Sequence, residues 1–149
     1  MVHPSDIILP PSFADLKNAL DQVNLAPLEC DGFTLLICSA LHKQNIPFTR
    51  MLGYVESPLT GHVVEPHMWV EIDGWIIDYR LQMWVPKYVA EQEIIPHGIF
   101  SYNVAEDMGF NYHGDPTGFN YLPDVVLDFM SDGFYSKLKI PASLRETTF

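Results

Sequence analysis

Two segments in the first third of the chain carry apolar residues at helical spacing. Residues 12–23 show the period of an amphipathic helix, with Ser12 as the predicted N-cap and Ala26-Pro27 as the predicted end. From Asp31 to Lys43, apolar residues recur at i, i+3, i+4, i+7 and i+8, and Pro47 disfavours any continuation. The pattern therefore predicts two helices, each with one buried stripe.

The middle of the chain changes to the pattern of strands. FTRMLGYV at 48–55 predicts a strand, and residues 57–61 predict a loop. HMWVEI and WIIDYR then flank Asp73-Gly74, a strong signal for a β-hairpin with a two-residue turn. In that register His67 and Asp78 lie on the same face of the hairpin, and a slip of one residue would separate them.

The last third of the chain has a weaker pattern. Residues 85–93 predict a short helix and a last helix is expected from about Pro123. The stretch 96–120 is rich in Gly, Asn and Tyr, and it is typical either of a lid over a site or of an ordinary surface loop. No repeat or linker divides the chain, so we expect one α+β domain over 1–149 and leave 85–149 without an assignment.

Composition narrows the classes of partner. Nineteen acidic residues face eight scattered Lys and Arg, a formal charge of −11, so nucleic acid is not an expected partner. The negative field favours amine-bearing or cationic ligands, although such a charge also simply keeps a protein soluble. The chain has no segment typical of a signal peptide or membrane span, so we expect a cytoplasmic protein with no membrane partner.

The hairpin and the second helix together suggest nucleophilic chemistry. A carboxylate beside an imidazole fixes the imidazole tautomer and stabilises the imidazolium, as His67 and Asp78 would. Cys30 lies in the first turn of the predicted helix, where free backbone N–H groups favour an anion. On that helix Cys30 shares a face with Phe33 and Ile37, so the sulfur is expected to point toward the sheet.

Other ionisable residues carry weaker signals. Cys38 is expected to be a buried structural thiol, about 12 Å from Cys30 along the helix and beyond disulfide reach. A group of His and Glu residues could suggest a metal site, but none of its pairs has the i, i+4 spacing of a helical zinc motif. We therefore expect no metal and no cofactor. The residues in that group are His62, Glu65, His67, His97 and His113.

Three segments in order carry a resemblance to a known family. CDGFTLLICSALHKQNIPFTRMLGYV, the run His67-Met68-Trp69-Val70-Glu71 and the later Asp78 resemble the core of the transglutaminase-like, papain-fold superfamily. The resemblance covers about residues 28–84. It implies a papain-like core in which the helix packs on an antiparallel sheet, with Cys30 as nucleophile, His67 as base and later acid, and Asp78 as the orienting carboxylate.

Four further residues are candidates for the substrate or oxyanion site. Gln22 is a candidate side-chain donor to an oxyanion, and Trp69 could form a wall of the site, as in relatives. Glu29 would oppose ionisation of the adjacent thiol, or else face solvent or bind a cationic substrate. Arg80 is expected to pair with Asp78 or Glu71, or to orient a substrate carboxylate.

The resemblance implies a cysteine hydrolase or acyltransferase acting on an amide, peptide or isopeptide bond through a thioester on Cys30. The expected substrate is a peptide, a protein or a small amide, with amine-bearing molecules among the candidates. The alternative is a peptide- or protein-binding module on the same fold whose triad is unused. Neither reading indicates an oligomeric state.

Overall fold

One antiparallel sheet organises the computed structural model, which describes residues 7–147 and residue 149. The helices are α1 (Pro11–Asp21), α2 (Cys30–Lys43), α3 (Lys87–Ala90), α4 (Tyr102–Asp107), α5 (Asp124–Met130) and α6 (Ala142–Arg145), with 3-10 turns at Leu81–Trp84 and Tyr135–Lys137. The strands are β1 (Thr49–Ser57), β2 (His62–Ile72), β3 (Trp75–Asp78), β4 (Gly98–Phe100) and β5 (Asn111–Thr117). The predicted α+β class is confirmed.

The sheet is built around the predicted hairpin. Its strand order is β4-β3-β2-β1-β5, and every neighbouring pair is antiparallel. Asp73 and Gly74 both have positive φ, 49° and 80°, as a type I′ turn requires. Val70 pairs with Ile77 in β2 and β3, so the register inferred from the turn is confirmed.

Two apolar cores lie on opposite faces of the sheet. Val70 and Ile77 belong to the core that α1 and α2 cover. Trp69 and Ile76 belong to the second core, which includes Val89 of α3 and side chains of the α4–β5 region. The alternation of side chains along each strand thus separates the two cores, as the period of two in a strand requires.

The helix boundaries differ from the sequence pattern at one end of α1. The helix begins at Pro11 with Pro10 at its N-cap, and it has no side-chain cap, so the predicted cap by Ser12 is wrong. Proline at the first helical position needs no such partner, because its missing N–H would be unpaired there. The helix ends at Asp21, and turns lead from there to α2, which begins at Cys30.

The C-terminal third is more regular than its pattern indicates. The stretch predicted as lid or loop contains β4, α4 and β5, and β5 completes the sheet beside β1. Gly53 permits this approach, since a Cβ at that position would lie 1.9 Å from the carbonyl oxygen of His113. The short helix α3 and the start of α5 at Asp124 agree with the pattern. None of the described helices has the length and apolar character needed to cross a membrane.

Candidate active site

A histidine and an aspartate form a buried pair at the end of the hairpin. Nε2 of His67 lies 2.7 Å from Oδ2 of Asp78. The His67 and Asp78 residues are 0 % and 3 % exposed, respectively. An ionised carboxylate can only accept hydrogen bonds, so Nε2 carries the proton and Nδ1 is left to face other groups.

Two further donors hold the Asp78 carboxylate. The hydroxyl of Tyr112 donates to Oδ2 at 2.7 Å, and the backbone N–H of Arg80 donates to Oδ1 at 2.9 Å. Burial opposes ionisation of Asp78, but the charge and hydrogen bond of His67, together with these two donors, keep the pKa of Asp78 below its ordinary value. The carboxylate is therefore a fixed negative charge beneath the imidazole.

The imidazole responds strongly to that charge. Burial alone would lower the pKa of His67, but the charge and hydrogen bond of Asp78 outweigh burial. The neighbouring Cys30 thiol adds to the effect, and together they raise the pKa of His67 from 6.5 to about 10. At neutral pH the site therefore favours the imidazolium form of His67.

Cys30 meets His67 where the hairpin opens. Pairing between β2 and β3 runs from Ile72–Trp75 to Val70–Ile77. β3 ends one residue further on, at Asp78, so it does not extend along β2 as far as His67. The N-terminus of α2 packs against this part of the hairpin, where Cys30, Met68 and Asp78 border a narrow cavity with no room for a water molecule. The helix packs on the face of the sheet that carries Val70 and Ile77, and its first residue, Cys30, lies near enough to the imidazole of His67 to raise its pKa.

The nitrogen of His67 that does not face Asp78 is unpaired. Nδ1 is buried and has no hydrogen-bond partner among the described residues. The Cys30 thiol contributes to the pKa of the same imidazole, although it does not complete a hydrogen bond with good geometry. An orphaned ring nitrogen beside a thiol is the arrangement that allows proton transfer from sulfur to nitrogen.

A cleft of about 420 Å³ opens on Cys30. Its walls come from the start of α2, from β1 and β2, and from the 3-10 turn after β3. Their residues are Glu29, Cys30, Asp31, Leu52, His62, Val63, Val64, Glu65, Pro66, Met68 and Trp84. The three acidic side chains at the rim are exposed, and these wall residues include no Lys or Arg. The cleft is therefore apolar inside and negative at its rim.

Trp69 supports the imidazole from behind and does not reach the cleft. The residue is 0 % exposed, and its ring lies nearly parallel to that of His67 with centroids 6.2 Å apart. Its indole N–H donates to Glu71 at 3.0 Å, and the hydroxyl of Tyr102 donates to the same carboxylate. The predicted role as a wall for the substrate is corrected, because a fully buried indole cannot touch a bound molecule.

Arg80 and Gln22 also differ from expectation. The Arg80 guanidinium forms no ion pair with Asp78 or Glu71 and does not face the cleft, because it donates to oxygens of residues 24–28 and to the carbonyl of Tyr79. Gln22 is exposed at the C-terminal end of α1, and it lines neither cavity at Cys30. The structure thus brings neither side chain to the thiol as a substrate or oxyanion contact.

Glu29 lies where the sequence places it, next to the thiol. It is the N-cap residue of α2, its side chain caps no backbone N–H, and it is exposed at the rim of the cleft. Asp31 follows Cys30 and accepts a hydrogen bond from the backbone N–H of Gly32 at 2.8 Å. Both carboxylates can therefore meet a cationic ligand.

Tyr112 is the functional residue that the pattern does not single out as a partner of Asp78. It lies on β5, 34 positions after Asp78, and reaches the carboxylate only because β5 pairs with β1. No local signal could have located it, since long-range pairing of an irregular strand leaves no periodicity. The neighbouring aromatic residues Phe119 and Tyr121 lie against His42 of α2, and they form no lid over Cys30.

The remaining thiol and imidazoles are dispersed. Cys38 is buried in the core, and burial raises the pKa of its thiol to about 12. His62 contacts the carbonyl of Trp84, and His113 pairs with Glu56. Within residues 7–147 and 149, no three His, Cys, Asp or Glu side chains are placed to hold a metal ion.

In comparisons with protein-family models, curated proteins and solved structures, no match to this chain was found. We therefore base its function on the geometry of Cys30, His67 and Asp78.

Proposed function

We propose that the chain is a transglutaminase-like, papain-fold cysteine hydrolase or acyltransferase that acts on an amide, peptide or isopeptide bond. Cys30 is the nucleophile, His67 is the acid and base, and Asp78 orients the imidazole. The order of the three residues along the chain and the helix packed on an antiparallel sheet both agree with the resemblance.

One observation carries the proposal. A fully buried imidazole is held at Nε2 by a carboxylate, while its unpaired Nδ1 is buried and its pKa responds to the Cys30 thiol, and Cys30 itself lines a cleft large enough for a side chain or short peptide. Burying an ionised pair has a desolvation cost in free energy. Ionisable groups with strongly shifted pKa values beside a cleft are typical of catalytic sites.

Acylation follows from these positions. The imidazolium of His67 stabilises the thiolate of Cys30, which forms a bond from Sγ to the carbonyl carbon of the substrate. The oxyanion lies at the N-terminus of α2, where the backbone N–H of Cys30 can donate to it and no side-chain cap competes. When the C–N bond breaks, the leaving nitrogen takes the proton from Nδ1 of His67 and departs as an amine.

In deacylation His67 acts first as a base, whereas in acylation it acts as an acid toward the leaving nitrogen. The neutral imidazole of His67 removes a proton from water or from an incoming amine, which attacks the thioester carbon. The C–S bond then breaks, the sulfur leaves as thiolate, and the proton on His67 restores the resting ion pair. Water gives a carboxylic acid, whereas an amine gives a new amide, so the same residues serve hydrolysis and acyl transfer.

The cleft indicates the charge of the substrate. Carboxylates of Glu29, Asp31 and Glu65 surround apolar walls that include Met68 and Trp84, and no cationic side chain lines the cleft. Opposite charge at a rim raises the local concentration of a ligand and its rate of association. An amine-bearing or cationic amide or peptide is therefore the substrate that the cleft suits best.

A binding module with an unused triad is the second candidate. Glu29 and Asp31 flank Cys30 directly and lie in or next to the first turn of α2. Two carboxylates beside a thiol disfavour a thiolate and work against the helix dipole. In this reading the same cleft binds a cationic peptide segment without any covalent step.

A covalent trap distinguishes these functions. Wild type, Cys30→Ala and Cys38→Ala are incubated with cell lysate, quenched in acid and analysed by peptide mass spectrometry. We expect an acyl adduct on Cys30 in wild type and in Cys38→Ala, and a labelled primary amine added to the lysate should replace it if transfer occurs. Wild type and Cys30→Ala giving the same spectra would favour the binding module.

A further inference from the structure

The guanidinium of Arg80 uses all five of its N–H donors inside the protein. The residue is 5 % exposed. Nε donates to the carbonyl of Leu28 at 2.6 Å, Nη1 to Oδ1 of Asn24 and the carbonyl of Tyr79 at 3.0 and 2.9 Å, and Nη2 to the carbonyls of Asn24 and Ala26 at 2.8 and 3.0 Å. Four of these five acceptors belong to residues 24–28, the segment that leads into α2.

The same side chain also reaches past Cys30. Its Cζ lies 3.9 Å from the ring centroid of Phe33, in the first turn of α2. Arg80 therefore contacts the chain at Leu28, two residues before the thiol, and at Phe33, three residues after it. The N-terminus of α2 has no side-chain cap of its own, and among the described residues the side chains outside the helix that bond to it or to the segment before it are Arg80 and Arg50, the latter through the carbonyl of Asp31 and Oγ1 of Thr34.

Arg80 is tied just as closely to the other half of the site. It follows Asp78 by two residues, and its backbone N–H donates to Oδ1 of that carboxylate at 2.9 Å. One residue thus joins the carboxylate that orients His67 to the segment that carries Cys30. Arg50 of β1 is a second link between the sheet and the first turn of α2, but it has no hydrogen bond to Asp78.

We propose that Arg80 is a positioning residue that sets the place of the Cys30 thiol relative to Nδ1 of His67, an inference that rests on the proposed function. Arginine is needed because its planar fork directs five donors at once. Lysine offers three donors from a single point and cannot span the carbonyls of Asn24, Ala26 and Leu28 together.

The test compares Arg80→Lys with wild type and with Arg145→Lys, which makes the same change at an exposed arginine bonded to Gln44. The readout is the rate of iodoacetamide labelling of Cys30 at pH 7. We expect Arg80→Lys to lose about 10- to 100-fold, since small misplacements of reacting groups cost that much. Arg145→Lys should behave as wild type.

A double mutant separates positioning from stability. In the wild-type background, His67→Gln should slow labelling of Cys30. In the Arg80→Lys background the thiol should already be displaced from the imidazole, so adding His67→Gln should not slow labelling further. Additive losses would overturn the proposal, because independent effects add. If Arg80→Lys does not fold, Asn24→Ala removes one acceptor of the guanidinium and should give a smaller loss with the same dependence on His67; an additive loss there would equally overturn it.

Failure of the proposed function is recognisable separately. If wild-type Cys30 is labelled no faster than a free thiol, Cys30 is not an activated nucleophile. The crystal structure of Arg80→Lys, or of Asn24→Ala, then decides the role of Arg80. A Cys30 displaced from His67 supports the inference, and a Cys30 in its wild-type place overturns it.

Discussion

The hydroxyl of Tyr112 and Nε2 of His67 both form hydrogen bonds to the same carboxylate oxygen, Oδ2 of Asp78, each at 2.7 Å. Tyr112 thus competes with the imidazole for the negative charge of Asp78. The edge strand β5, which the sequence pattern leaves irregular, thereby contributes a hydrogen-bond donor to the carboxylate that holds the imidazolium.

Tyr112→Phe removes that competition. Among the described residues, His67 is then the one side-chain donor left to the Asp78 carboxylate, and the carboxylate interacts more strongly with the imidazolium. We therefore expect the pKa of the imidazole to rise above its wild-type value. The protein should lose about 1.5–3 kcal/mol of stability, as expected when a buried charged acceptor loses a donor. An NMR titration of His67 and a urea unfolding curve measure the two effects.

Tyr102→Phe is the matched control, because its hydroxyl donates to Glu71 and touches no atom of the His67–Asp78 pair. It should leave the pKa of His67 at its wild-type value. An unchanged or lowered pKa in Tyr112→Phe would show that Tyr112 does not tune the pair.

The raised pKa of His67 predicts how stability depends on pH. Between pH 6.5 and about 10 the folded chain keeps a proton on His67 that the unfolded chain releases. The contribution of His67 is therefore fully present below pH 6.5 and is lost as pH rises toward 10. The free energy of unfolding of wild type should fall over this range relative to that of His67→Gln.

Urea unfolding at a series of pH values provides the comparison. His113→Gln removes an exposed histidine that also pairs with a carboxylate, Glu56, and it should keep the wild-type slope. Parallel curves for wild type and His67→Gln would mean that the buried imidazole gains no proton affinity on folding.

The acidic rim of the cleft predicts charge-selective reactivity at Cys30. After normalisation to a free thiol, cationic 2-bromoethylamine should react faster than neutral iodoacetamide, and anionic iodoacetate slowest. Glu29→Gln should lower the ratio of cationic to anionic rates by about 2- to 5-fold, the effect of one exposed charge.

Glu91→Gln serves as the control for that experiment, because Glu91 is exposed beside Lys87 and lies outside the cleft. It should leave the ratio as in wild type. If all reagents react with Cys30 in proportion to their rates with a free thiol, the rim does not select for charge.

The hairpin and its polar face could be predicted from local pattern. Asp73-Gly74 sets the turn, the turn sets the register, and the register places His67 beside Asp78 without any knowledge of the rest of the chain. The position of Cys30 at the start of α2 could also be predicted, because the helical period and Pro47 define that helix.

Contacts between distant segments could not be predicted from the local sequence pattern. Arg80 was expected to meet a carboxylate, but the buried carbonyls of residues 24–28 compete successfully for its donors. The resemblance places Trp69 at the site, yet the second core on that face of the sheet buries it completely. Both outcomes depend on which elements cover each face, and hydrophobic period does not specify that.

The sequence pattern does not predict the β5 strand, for a related reason. Its residues Asn111–Thr117 are mostly exposed and include Gly114 and Pro116, so they show no apolar alternation, and Thr117 at the end is their one β-branched residue. They form a strand because the edge of β1 offers them a partner, with Gly53 leaving room for the backbone. Tyr112 enters the site only through this pairing.

The rate of iodoacetamide labelling of Cys30 as a function of pH, with the peptide of buried Cys38 as internal reference, tests the central claim most directly. We predict that at pH 6–7 Cys30 reacts at least ~10-fold faster than a free thiol, that His67→Gln removes this advantage, and that His113→Gln retains it. A wild-type rate equal to that of a free thiol, or one unaffected by loss of His67, would contradict an activated nucleophile in this cleft.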